Sequence, residues 1–381
     1  MKPRTSLAAL LLAAIFACGA QEPPQALSGQ ETATLREAGL APADPGDGAM
    51  SADDAARLQA AQAAGERYHA RVAAELAATG KPRELAFAAT LLQLAGDAPV
   101  EPPAPGDDTP SQPASRDPRI AQWRQLASAR AGSDVLANVL LMQGDTAADA
   151  ATRREAAARW ARLEPDNLAP VVFAMQRPAG WLPQAGAYAR FDTHYYELAR
   201  WMIAALRDRP LRPDESAALG VDSLPEDAVA VAVVGILAGV AMPVNLLQSK
   251  ECLRDEELAA TPTRRMDCRH VARLLVEASD TSLAESIGLA LLRATAVTPA
   301  EVLDADLRQR RKDWQMLEWG RLAREQDDMG TAQFASLLRD PAIANEQELI
   351  ARVLADAGVP PDPAEGWRAP WEQGRQPAAQ R

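Results

Sequence analysis

Start and stop signals for α-helices recur along this chain at helix-length intervals, and little else in it can nucleate regular structure. Ser51 precedes Ala-Asp-Asp and an Ala-rich run that stops at Gly80 and Pro82, which places acidic residues at the start and Gly then Pro at the end. Pro82 to Gly96 reads as a second helix. Ser282-x-x-Glu285 and Thr298-Pro299-x-Glu301 have the form of capping boxes, the second with proline at the first helical position. Composition closes off the alternatives. The chain has 82 alanines but only seven isoleucines, five phenylalanines and four tyrosines, so helix formers abound and strand formers are scarce. A β-sandwich, a β-barrel and, with less force, a doubly wound α/β sheet are excluded. The fold expected is all-α, an irregular α-solenoid or a set of stacked helical hairpins.

Two stretches are linkers by composition. Residues 98–118 hold seven prolines and cannot sustain a helix. Residues 359–381 are again rich in Pro, Gly, Gln and Arg and read as a disordered tail. Residues 21–50 form a flexible N-terminal segment, 51–97 a helical hairpin and 119–358 the main helical domain.

The first 20 residues have the order of an export signal. Lys2 and Arg4 form a cationic start, Leu7 to Phe16 an apolar core, and small residues follow. The segment Ile15-Phe16-Ala17-Cys18 resembles the lipobox of bacterial lipoproteins, although Phe16 is an unusual occupant of its position. The resemblance implies acylation of Cys18, which would become the first residue of a mature chain held at the membrane. Ordinary cleavage after Ala20, with release into the periplasm or medium, is the other reading. Removing Lys2 and Arg4 takes the formal charge from −12 to −14. So acidic a chain is a poor candidate for nucleic-acid binding.

With Cys18 lipidated or removed, Cys252 and Cys268 remain, an even pair that suits an oxidising compartment. Both flanking segments look helical, and the turn near Thr261-Pro262 lies midway between them, so a disulfide across a helical hairpin is expected. Closing a loop of about 15 residues stabilises by roughly 3 kcal/mol in the chain-entropy model. Free thiols are the alternative. So is a metal held by Cys252, Cys268 and His270, but a close cysteine pair and a fourth ligand are missing.

Arg159-Trp160-Ala161-Arg162-Leu163-Glu164-Pro165-Asp166-Asn167 resembles the close of a tetratricopeptide repeat, and Leu140-Leu141-Met142-Gln143-Gly144-Asp145 the end of that repeat's first helix. Four extra residues separate the two, and the Trp-Leu-Gly-Tyr signature is missing. A weaker echo stands at Leu91 to Asp97. The resemblance implies stacked helical hairpins over about residues 134–170, with an irregular helical domain left equally open. Residues 228–247 are uncharged and contain Gly235-x-x-x-Gly239. They lack an aromatic belt and flanking basic residues, so a buried helix is expected there rather than a membrane span.

Motifs for chemistry are few. None of the three histidines, His69, His194 and His270, sits at metalloprotease spacing. There is no nucleophile elbow, phosphate-binding loop or dinucleotide fingerprint, and no catalytic, cofactor or metal residue is assigned. In Phe191-Asp192-Thr193-His194-Tyr195-Tyr196-Glu197 the simplest reading is a helix start capped by Asp192 or Thr193, with one tyrosine facing the core. His69 reads as lying on a solvated face. The run Arg308-Gln309-Arg310-Arg311-Lys312 reads as a solvated face paired with Asp304, Asp306 and Asp313. Leu303, Leu307, Trp314 and Leu317 share one apolar stripe. Trp160, Trp201, Trp314 and Trp319 lie in helices and are expected to lock neighbours together. Trp367 and Trp371, in the tail, could anchor a partner or fold back on the body.

The functional expectation is a non-catalytic envelope scaffold that binds protein or peptide partners, with no cofactor. One alternative is a helical lyase or hydrolase acting on a cell-wall or polysaccharide substrate through His194, Tyr195 and nearby acids. Another is a small-molecule or lipid carrier with a tunnel beside residues 228–247.

Overall fold

A computed structural model describes residues 52–96, 117–142, 149–174, 181–221, 224–239, 252, 261–325 and 328–373. The export signal with Cys18, segment 21–50, nearly all of the Pro-rich linker and the last eight residues lie outside them.

The described residues form an all-α fold. In chain order the helices are α1 (Ala52–Ala78), α2 (Pro82–Gly96), α3 (Pro118–Arg130), α4 (Val135–Leu141), α5 (Ala150–Leu163) and α6 (Ala169–Phe173). A 3-10 helix, Leu182–Ala187, precedes α7 (Tyr195–Arg207), α8 (Pro213–Leu219) and α9 (Glu226–Gly239). The last set is α10 (Pro262–Glu277), α11 (Ser282–Ala294), α12 (Pro299–Glu325), α13 (Asp328–Arg339), α14 (Glu346–Asp356) and the short α15 (Pro370–Gln373). Local chemistry explains several of the ends. Gly80 adopts φ +69° just beyond α1, a conformation that costs glycine little. Thr298 and Glu301 form the expected reciprocal cap, with Glu301 N donating to Thr298 Oγ1 (3.3 Å) and Thr298 N to Glu301 Oε2 (3.2 Å). The other expected box is shifted by one residue. Thr281, not Ser282, caps α11, while Ser282 N donates 2.7 Å to Glu346 of α14.

Sequence neighbours pack on one another: α1 on α2, α2 on α3 and α4, α4 on α5, α10 on α11, and α11 on α12. Longer-range packing sets α8 on α1 and places α9 between α7 and α13. One apolar cluster runs through these helices apart from α8, from Tyr68 in α1 to Leu354 in α14. The expected hairpin and the main domain therefore share a core. In α9, Val229, Ala230, Val233, Ile236 and Leu237 are buried and the remaining described side chains mostly half-buried. No helix among the described residues is long and apolar enough to cross a membrane, and residues 240–247 lie outside those described.

Cys252 and Cys268 are joined in a disulfide with Cα atoms 5.7 Å apart. This overturns the metal alternative for Cys252, Cys268 and His270, because both sulfurs are consumed. His270 Nε2 lies instead 3.1 Å from the Tyr188 carbonyl oxygen.

The α10–α11 contact is unusually close. A Cβ built on Gly288 would stand 2.8 Å from Ala272 O, Leu275 Cβ and Val276 Cγ2. A backbone oxygen cannot yield as a flexible side chain can, so Gly288→Ala is expected to destabilise the fold by about 1–3 kcal/mol through overpacking. Gly65→Ala, in α1 where nothing lies within 4 Å, is expected to stabilise by about 0.5–1 kcal/mol. Urea unfolding of the two variants checks the contrast. Equal stability for both would mean that the two helices separate at no cost.

Candidate functional site

Helix α12 turns apolar side chains to two opposite sides. At about 100° per residue, Ala305, Lys312, Met316 and Trp319 share one side. Ala305 and Lys312 are buried, and Met316 and Trp319 pack against the core, with Trp319 6.3 Å from Phe334 of α13. Leu303, Leu307, Trp314 and Leu317 share the other side. The stripe read in the sequence is thus the one that faces away from the body: Leu303 is 59% and Leu307 51% exposed. From Leu303 to Leu317 it extends about 21 Å at 1.5 Å per residue.

The C-terminal half of this outer face is bordered by residues expected to be a disordered tail. From Pro360 onward the chain lies along α12, which corrects that expectation for the described part. Trp314 Nε1 donates to Pro360 O (3.0 Å), Gln315 Nε2 donates to Pro361 O (2.9 Å), and Arg311 pairs with Asp362. Trp367 sets its ring edge-on to Trp314, centroids 5.5 Å apart. The composition that suggested fraying is compatible with order because α12 supplies donors for the carbonyls that prolines leave unpaired. Trp371 remains 43% exposed. Between strap and helix lies a groove of about 600 Å³ lined by Trp314, Leu317, Glu318, Arg321, Arg324, Trp367 and Arg368.

The basic run is divided by the two faces. Arg308 pairs with Asp304 at 3.0 Å, and Arg311 reaches the strap. Lys312 is buried rather than solvated, and its charge lies near Glu285. Asp306 pairs with Arg293 of α11 and not with the run.

His194, the residue of most chemical interest in the sequence, stands where three connections meet. Asn167 and Arg190 form one isolated parallel bridge, Phe191 and Ser279 another, so residues 189–191 run between the α5–α6 turn and the α10–α11 turn. His194 closes this crossing with φ 58°, a left-handed conformation uncommon for a side-chain-bearing residue. Its Nε2 lies 2.9 Å from Glu164 Oε2, and its Nδ1 faces Glu197 Oε2 at 3.3 Å. Glu164 also accepts from Trp160 Nε1 (2.7 Å) and Asn167 Nδ2 (2.9 Å) and pairs with Arg190 (3.1 Å). Burial alone would raise the Glu164 carboxyl, but the His194, Asn167 and Trp160 donors hold it at about 2. Burial likewise opposes charge on His194, yet Asp192, Glu164 and Glu197 raise its pKa. Glu164 and Asn167 belong to the Leu-Glu-Pro-Asp-Asn run that resembles a repeat terminus, and here they bind the α7 start instead.

The α7 cap differs from the expectation. Asp192 Oδ1 accepts the His194 amide at 2.8 Å. The helix start itself is held by Asp280, whose Oδ2 accepts from Thr193 N, Thr193 Oγ1 and Tyr195 N at 2.6 to 3.0 Å. Asp280 is 5% exposed. Burial, reinforced by Asp192, raises its carboxyl to about 6 against the pull of those donors. No sequence signal marked Asp280, which reaches this helix from 85 residues away. Tyr196 is buried, as expected for one of the two tyrosines, and Tyr195 is half-buried. His69 is half-buried rather than on a solvated face, and desolvation lowers its pKa.

His194 and its carboxylates are therefore brought together, and their polar atoms are spent largely on one another. Both imidazole nitrogens face carboxylates, and both Glu164 oxygens face cations or N–H donors. Chemically the cluster can hold three chain segments in register, and none of its residues lines the α12 groove. Trp160, fully buried against Phe173 and His194, and Trp201, 5.6 Å from Phe87, lock helices as expected. Trp314 faces the groove instead. No protein-family model, curated protein or solved structure matches this chain.

Proposed function

We propose that the protein is a non-catalytic scaffold of the bacterial envelope that binds protein or peptide partners along the outer face of α12. The observation that carries this reading is the stripe from Leu303 to Leu317, set opposite the side of α12 that packs on the body. Two leucines more than half exposed four residues apart, leading into a tryptophan-bearing groove, form a linear apolar track of the kind that receives an extended or helical segment. The Cys252–Cys268 disulfide supports an oxidising compartment. Together with the signal-like start it supports export, with Cys18 as the lipid anchor.

The test is site-specific photocrosslinking in living cells. A photoreactive residue at Leu307 is expected to give discrete adducts. The same residue at Arg352 on α14, whose side chain is 61% exposed, is expected to give none. Equal yields from the two positions would remove the reason for assigning a docking role to α12.

A further inference from the structure

The junction where the α10–α11 turn meets the α7 start holds a carboxylate that is saturated on one oxygen and bare on the other. Asp280 Oδ2 accepts from Thr193 N, Thr193 Oγ1 and Tyr195 N. Its Oδ1 is buried and has no hydrogen-bond partner among the described residues, in a residue only 5% exposed. No cation pairs with Asp280 among the described residues, and the charge that acts on it is the like charge of Asp192. Asp192 is itself turned to Arg190, at 2.9 Å, and to the His194 ring, 3.8 Å away. Glu346 of α14 donates its amide to Asp280 O at 3.1 Å, and its carboxylate accepts Ser282 N at 2.7 Å. The Asp280 and Glu346 charges, added to burial, raise the Tyr195 and Tyr196 phenols and keep both neutral. Arg200, which acts on Tyr196, donates to Ile343 O at 2.9 Å. Glu285 of α11 has Lys312 of α12 as its neighbouring cation.

We infer that this junction is a proton-operated latch: Asp280 takes up a proton on its bare oxygen in mildly acidic solution, and the α10–α11 turn then grips the α7 start more firmly than at neutral pH. The inference does not depend on the docking role of α12. An ionised carboxylate spreads its charge over both oxygens, and burying an oxygen that no donor meets disfavours the charged form. A proton on Oδ1 removes that cost, while Oδ2 remains an acceptor for all three donors. Burial and Asp192 outweigh those donors and raise the carboxyl to about 6 from its ordinary 3.8. An acid raised in this way destabilises the fold fully above its folded value, and the penalty fades as pH falls from there toward the unfolded value. The latch therefore works between about 6 and 3.8. Three segments respond together, because the same turn also accepts Phe191 N at Ala278 O (2.9 Å) and holds the α14 start through Glu346.

The test compares the full mature chain with its Asp280→Asn variant by urea unfolding at about pH 7.5 and 4.5. Asparagine keeps an oxygen for the three donors and places a neutral amide at the bare position. Any cost of burying that amide is the same at both pH values. His194 and His69 titrate in parent and variant alike, so they cancel in the difference between the two. The urea midpoint of the variant relative to the parent is expected to be higher at pH 7.5 than at pH 4.5 by roughly 0.5 M. A difference that does not change with pH, or one that grows toward acid, overturns the inference. Hydrogen exchange locates the gain. After correction for intrinsic rates, the Thr193 and Tyr195 amides of the parent are expected to exchange at least about threefold more slowly at pH 5 than at pH 7.5. Slowing of equal size in Asp280→Asn overturns the inference too. Carbon-13 NMR of the parent labelled at aspartate carboxyls needs no variant to fold. One carboxyl is expected to titrate well above the ordinary range, and the absence of any midpoint above about pH 5 overturns the inference as well.

Discussion

Replacing Glu164 by alanine is expected to lower the free energy of unfolding by about 3 kcal/mol, the lower part of the range for breaking a buried ion pair by removing one partner, because this side chain retains 13% exposure. The loss follows from what is stranded. Trp160 Nε1, Asn167 Nδ2, His194 Nε2 and Arg190 Nη2 all converge on this carboxylate, and Trp160 is among the largest fully buried side chains. Glu164→Gln keeps the shape and loses the charge, so its cost is expected to be smaller and to depend on pH. The folded pKa of Glu164 is about 2, below its ordinary 4.5. Its stabilisation is therefore complete above 4.5 and lost as pH falls through the folded value. His194 has the opposite sign. Its folded pKa is raised above 6.5, so its contribution is complete below 6.5 and lost as pH rises through the folded value. The cluster is strongest between the two ordinary values. Urea unfolding at about pH 3, 5.5 and 8 checks this. The stability gap between parent and Glu164→Gln should narrow at pH 3, and a gap unchanged from pH 5.5 to 3 would mean that the carboxylate contributes no net charge interaction.

A loss of about 3 kcal/mol, the lower end of the range for breaking a buried ion pair, is expected for Glu215→Ala, because the half-buried Arg71 guanidinium loses its two-pronged partner and keeps only the Glu75 carboxylate, at 3.0 Å. Arg71 Nε and Nη2 donate to the two Glu215 oxygens at 2.9 and 2.8 Å, and Nη2 also donates to Pro210 O at 2.9 Å. Glu215 accepts from the Arg212 amide as well and is 2% exposed. The guanidinium further stands over the Tyr68 ring. This set fastens the short helix α8 to α1. Loss of the acid should therefore appear first as faster hydrogen exchange over 213–219 and then as a lower urea midpoint. The double variant Arg71→Met/Glu215→Leu replaces the pair with apolar groups of similar length and should recover most of the loss, because two desolvation penalties disappear with the attraction. A double variant as unstable as the single one would show that the ionic pair itself, and not relief of a stranded charge, sustains α8.

The features legible in the sequence are those whose physics is confined to a few residues. Gly80 ends α1 because only its own backbone needs a left-handed turn, and Thr298 caps α12 because its Oγ1 accepts from the amide three residues on. The Cys252–Cys268 bond was legible because parity and the intervening turn restrict the pairing. Thr281 displaced Ser282 as the α11 cap because Glu346, from a distant helix, takes the Ser282 amide. Asp280 escaped notice for the same reason. Its role at the α7 start exists only when the α10–α11 turn arrives beside residues 193–195.

The candidate site divides in the same way. The spacing of Leu303, Leu307, Trp314 and Leu317 put them on one face of a helix, but periodicity says which residues share a face and not which face is covered. Helix α12 has apolar residues on both sides, and packing on α11, α13 and α14 selected the side bearing Ala305, Met316 and Trp319. The strap was illegible because its order depends on donors from Trp314, Gln315 and Arg311, which a reading of its own composition does not contain. Sequence alone thus determined the helical class, many helix ends and the disulfide, since each follows from short-range hydrogen bonding, backbone preference or covalent parity. The tertiary structure decided which stripe faces solvent, where His194 and Glu164 meet, and that the C-terminal strap lies along α12, since each depends on segments far apart in sequence competing for the same surface.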